Sequence, residues 1–207
     1  SWVLTGCVTF YEADATMRYC NFSNNRSGDD IVNFMRCKFW VDKCNFIGAN
    51  ADALDGDFVN AIITNCIFTK PGNDGLDFSG STLLIRNVLI NEPGDKGISL
   101  GEATFGNAEK IVINGGEIAV AAKDLAKLKI DDLTINNAKL GFTVYQKKPE
   151  FGKGYIMVND FKYNNIQTLH LVEKGSYLVI NSSIIKPDMD DVKDVLYGIE
   201  YGKASIR

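Results

Sequence analysis

Four segments of this chain, SGDDIVNF, NADALDGDF, GNDGLDFSG and GDKGISLGE, lie beneath one another without a gap, in a register of 22 residues. Asp30, Asp52, Asp74 and Lys96 share one column at that interval, and Ile118 and Leu140 continue it in the weaker segments EIAVAAK and KLGFTVY. A fixed period of this length marks stacked repeats, each packed only against its neighbours. The chain must fold as an array.

Within each repeat apolar residues alternate with small or polar ones, as a strand with one buried face requires. Val32, Leu54, Leu76, Ile98, Val120 and Phe142 form one inward stack. Phe34, Phe58, Phe78, Leu100 and Val144 form a second, with Phe58 assigned because it stands two places beyond Gly56. Further columns are Val41, Ile63 and Ile85; Cys44, Cys66 and Val88; and Phe46, Phe68 and Ile90. Trp40 aligns with Ile62 and Leu84 and reads as core, and Trp2 as a cover for the first rung. At least two strands fall in each repeat, with Gly, Asn, Asp and Pro between them (KPGND, NEPGD). With no recurrent helix or leucine–asparagine consensus, this excludes a leucine-rich horseshoe.

Such strands bury their apolar faces by coiling, so that successive rungs pair in parallel about 4.8 Å apart. The expected fold is all-β: a single-stranded right-handed parallel β-helix of about 22 residues per rung, one domain over residues 1–207. GEATFGNAEK, leading to Lys110, and YQKKPEFGKGY, after Val144, break the period and read as loops. Residues 187–198, acidic at the start and apolar at helical spacing, are expected to form a short helix that caps the last open rung.

The 207 residues, 45% hydrophobic, suffice for one sizeable core. With 22 Lys and Arg against 26 Asp and Glu, the charge of −4 excludes a nucleic-acid partner held by a general basic field. No apolar run reaches the roughly 20 residues of a membrane span. The start, SWVLTGC, is strand-like and unlike a signal peptide, which suggests a fragment of a longer chain or a mature product. Cys7, Cys20, Cys37, Cys44 and Cys66 contain no CxxC pair, so most are expected to be free and buried.

Asp-Gly-Leu-Asp and Asp-Ala-Leu-Asp segments, followed by a strand ending in Asn-Cys-x-Phe, resemble the pectate-lyase-like β-helix superfamily over most of the chain. More narrowly, LTGCVTFYEAD, NDGLDFSGS, GDKGISLGE, AAKDL and YQKKPEFG are similar to β-helix segments of bacterial surface proteins that also carry a CotH-like kinase domain. The resemblance implies an accessory module of a bacterial exported protein, at the cell surface, outside the cell or in the periplasm. The superfamily holds lyases, hydrolases, epimerases and noncatalytic adhesins, so the fold by itself selects no reaction.

The chemistry-bearing columns are acidic. By the alternation Asn33, Asp55 and Asp77 point outward from three consecutive rungs, Asp57 shares their face, and Asp30, Asp52 and Asp74 line the turn into the strand. Carboxylates at rung spacing repel by roughly 1 kcal/mol in water and by more where water is scarce. One reading relieves this with calcium held by Asp55, Asp57, Asp77, Asp52 and Asp74, since calcium takes six to eight oxygen ligands. The other is turn chemistry, in which Asp and Asn bond nearby backbone N–H groups.

Lys96, next above Asp74, either ends the acidic ladder as an ion pair or acts as a base. The latter is what resemblance to calcium-dependent β-helix polysaccharide lyases implies, with a Lys or Arg removing the proton α to a uronate carboxylate. A polygalacturonase-like hydrolase would use two carboxylates, but its motifs occur here in reversed order and without their His and Arg-x-Lys partners. The single histidine, His170, is expected to pack on a strand. Ala53, Gly75, Gly97, Ala119 and Gly141 read as an outward strip of small residues able to accept an extended chain, with Tyr145 as the one aromatic platform beside it. The ligand-binding candidates are therefore Asn33, Asp55, Asp57, Asp77 and Tyr145. Together these features point to a noncatalytic scaffold module that binds carbohydrate or neighbouring domains, with a calcium-dependent uronate lyase or epimerase as the alternative.

Overall fold

The computed structural model describes residues 6–198, so the position of Trp2 lies outside the described residues. The strands form two long sheets, parallel except at one end. The first has eight strands, one per rung: Val8–Tyr11, Val32–Met35, Leu54–Asp57, Leu76–Ser79, Lys96–Gly101, Ile118–Lys123, Leu140–Tyr145 and Thr168–Val172. Val32, Leu54, Leu76, Ile98, Val120 and Phe142 stand in direct register and are buried, as the 22-residue column requires. His170 lies on the last of these strands, opposite Phe142.

The second sheet has eleven strands and supplies the other two faces of the coil. Its long strands, such as Asn60–Thr69 and Thr82–Asn91, bend at one residue with positive φ: Asn65 at 56° and Asn87 at 53°. Asn tolerates this left-handed conformation better than most residues, and Asn87 donates to Asn65 Oδ1 at 2.8 Å across the corner. The bend shifts the alternation, so Ala61 and Ile63 are buried before it and Cys66 and Phe68 after it. The three columns through Val41, Cys44 and Phe46 are stacked as expected. All five cysteines are free, with Cys37, Cys44 and Cys66 buried. Burial pushes the Cys66 thiol up to about 11.

Several expectations give way to tertiary structure. Phe58 has φ 55° and sits in the turn, more than half exposed. Gly56 takes its place in the inward column, because the Phe78 ring fills the space a β-carbon there would need. Trp40 does align with Ile62 and Leu84, but on the outward face, 38% exposed. GEATFGNAEK is not a loop: Glu102 and Ala103, both at positive φ, absorb one extra residue, and Phe105–Asn114 is a strand. The segment between Tyr145 and Tyr155 does lack strand structure.

The C-terminal helix is Val192–Tyr197, capped by Asp191, whose Oδ1 accepts the Asp194 N–H at 2.8 Å. It meets the last rung at Leu171 and at Glu173, whose Oε2 accepts the Val192 N–H at 3.4 Å, and from there Val192 and Leu196 pack along the outward face of the first sheet against Ile118, Ala121, Leu140 and Tyr145. Those residues make the outward face apolar there, and the helix is amphipathic enough to cover them. At the end of the second sheet Ser183–Ile185 folds back antiparallel on Tyr177–Ile180.

Candidate functional site

Asn33, Asp55 and Asp77 are in direct register on three consecutive rungs of the first sheet, facing outward. The face is not an open strip. Asn33, Ser99, Ala121 and Thr143 along the same column are buried. Asn33 Nδ2 donates to Asp55 Oδ2, while Asn33 Oδ1 and Asp77 Oδ1 are buried without a hydrogen-bond partner. Burial pushes Asp55 up to about 9, helped by Asp30, Asp77, Asp57 and Asp52. Asp57 is raised in the same way, by burial first and then by Asp77 and Glu102.

The turn column behaves differently. Asp52 Oδ1 accepts the Asp74 N–H at 2.7 Å and the Asn73 side-chain amide at 2.7 Å. Asp74 Oδ1 in turn accepts the Lys96 N–H at 2.9 Å. Each carboxylate thus ties one rung to the next, which is turn chemistry extended across the stack. Burial, then Asp74 and Asp77, still pushes Asp52 up to about 8.

Lys96 is buried, with Nζ 3.3 Å from Asp74 and 2.6 Å from Asp95. Burial disfavours its charge, but the acidic groups around it, Asp74 first, together outweigh burial and hold the ammonium above its ordinary value. A base needs the opposite shift. Tyr145 is fully buried beneath the C-terminal helix and offers no platform to a sugar. The small-residue column also faces the other way: a β-carbon at Gly97 would stand 2.6 Å from the Ala119 carbonyl oxygen and 2.9 Å from Ile113, a core side chain. Ala53 and Ala119 likewise belong to the core. The strand alternation begins one residue later than the sequence suggests, because the turn delivers this column inward.

Two participants escaped the sequence reading. Lys123 Nζ donates to Ser99 Oγ at 2.7 Å and lies 3.8 Å from Asp77. Its position three intervals of 22 beyond Asp57 was legible in the repeat. Asp95, the second partner of Lys96, was marked only by adjacency. Among the described residues no three His, Cys, Asp or Glu side chains converge as a metal site. Asp52 and Asp74 already spend oxygens on backbone and lysine, which leaves Asn33, Asp55, Asp57 and Asp77 as the oxygens able to face a cation.

A family model described as right-handed β-helix region matches residues 30–184. The chain belongs to the right-handed β-helix family. Comparison with curated proteins gives no match. Among solved structures, it resembles the catalytic domain of a GH87 α-1,3-glucanase in complex with nigerose, at 10% identity and a TM-score of 0.39. That alignment covers 80% of this β-helix and about half, 53%, of the glucanase chain. A likeness that low bears on neither substrate nor reaction.

Proposed function

We propose that this β-helix is a noncatalytic accessory domain of a bacterial exported or surface protein, serving as a scaffold and binding carbohydrate. The observation that carries the noncatalytic part is the state of the outward face of the first sheet. The C-terminal helix lies on it, Tyr145 is buried beneath that helix, and Lys96 is held protonated between two carboxylates. A face so occupied lacks the open groove over those rungs and the free lysine base that uronate elimination would use.

A second reading, the calcium-dependent uronate lyase or epimerase, draws on Asn33 Oδ1 and Asp77 Oδ1, which make no hydrogen bond beside the raised Asp55, with only Lys123 at 3.8 Å from Asp77. Asn33, Asp55, Asp57 and Asp77 would hold the calcium, which would neutralise them and polarise a uronate carboxylate. The accessory-domain reading and the lyase form of the second separate in one experiment. Hexagalacturonate is incubated with the protein, with and without calcium, and followed by ultraviolet absorbance of unsaturated product and by melting temperature. The accessory-domain reading expects no product. Product formation with calcium, lost in Lys96→Ala, would overturn it.

A further inference from the structure

On the second sheet one outward column runs Thr82, Phe105, Lys127, Tyr155 and Tyr177 in direct register over successive rungs. Phe105 and Tyr177 are 47% and 59% exposed, and the Tyr155 and Tyr177 rings lie 6.3 Å apart, tilted at 42°. Three aromatic rings thus stand in a file parallel to the axis of the coil, on flat strand backbone. Phe105 and Tyr155 are two rungs apart, about 9.6 Å, a length comparable to two residues of an extended glycan. Between them Lys127 is exposed and makes no ion pair among the described residues. In the next outward column Asn107 and Lys129 stand beside Phe105 and Lys127, with Lys129 Nζ paired to Asp131 at 3.0 Å, and Met157 and Val179 stand beside Tyr155 and Tyr177.

We propose that an extended, uronate-containing glycan lies along this file, its sugar faces stacked on Phe105, Tyr155 and Tyr177 and a carboxylate paired with Lys127. The assignment rests on the carbohydrate-binding reading above and moves it from the acidic face to the opposite chemistry. Aromatic rings supply apolar area with little side-chain entropy to lose, and an unpaired lysine between them selects an anionic sugar over a neutral one. A protein partner fits less well, because the unpaired Lys127 stands in the middle of the file, and the centre of a protein interface is depleted of lysine.

Titration calorimetry of the full chain with hexagalacturonate, and with neutral cellohexaose for comparison, tests this. Wild type should prefer hexagalacturonate, with an affinity that falls as salt rises. Phe105→Ala and Tyr155→Ala should each weaken binding about tenfold, while Lys127→Gln should remove both the preference and the salt dependence. Tyr19→Ala, an exposed aromatic at the other end of the coil, should bind as wild type does. The altered side chains lie on the outward face, and unchanged melting temperatures confirm that each variant folds. If wild type binds hexagalacturonate but the Phe105, Tyr155 and Lys127 variants bind it equally well, the placement is wrong and carbohydrate binding stands. If wild type binds neither oligosaccharide, both readings fall.

Discussion

Replacing Asp55 by asparagine isolates what the half-buried carboxylates do to stability. Asp55 is pushed up to about 9 and Asp52 up to about 8, by burial first and by neighbouring carboxylates second. In the unfolded chain both return to about 3.9. From about pH 5 to about pH 7.5 the native protein therefore holds two protons that the unfolded chain has released. Because the folded values are raised, the stabilisation is complete below about pH 4 and is lost as pH rises toward 8 and 9. Each such proton makes unfolding easier by about 1.4 kcal/mol per pH unit, so the pair contributes a slope of about 2.7. The Asp55→Asn variant would keep the volume and an acceptor for Asn33 Nδ2 while removing one titration. Its slope should be shallower by about 1.4 kcal/mol per pH unit, and it should gain on wild type as pH rises. Urea unfolding at three pH values between about 5.5 and 7.5 measures this. Parallel slopes in the two proteins would refute the half-buried, protonated cluster.

Gly97→Ala should cost about 1–3 kcal/mol through overpacking against the Ala119 carbonyl and Ile113; a neutral result in urea unfolding would mean that this column faces solvent after all. Cys44 and Cys66, buried and free, should resist a thiol reagent in the native protein while exposed Cys7 reacts at once, and equal labelling rates would contradict the stacked core.

Legibility differed between the core and the candidate site for a physical reason. Inward columns such as Leu54, Leu76 and Ile98 carry a redundant signal, since every rung must fill the same space with an apolar side chain. Phe58 and Trp40 show where that signal fails. A single residue at positive φ reverses the alternation downstream, and nothing in the apolar pattern alone marks it. The acidic ladder was legible as a ladder, but the half-burial of Asp52, Asp55 and Asp57 was not, because it depends on the side chains of neighbouring rungs, which spacing along one strand cannot express.

From the sequence alone came the 22-residue period, the parallel coil, the register of the first sheet and the presence of a short C-terminal helix. All follow from local alternation repeated at a constant interval, because equivalent positions in stacked rungs are forced into contact. Only the tertiary structure decided where that helix docks, which way Gly75 and Gly97 face, and that Tyr145 and Lys96 are sealed while Phe105 and Tyr177 are open. Those outcomes depend on packing between segments far apart in the chain, such as Leu196 and Ala121 in one apolar cluster. No periodicity links them, and their energies are settled only when the surfaces meet.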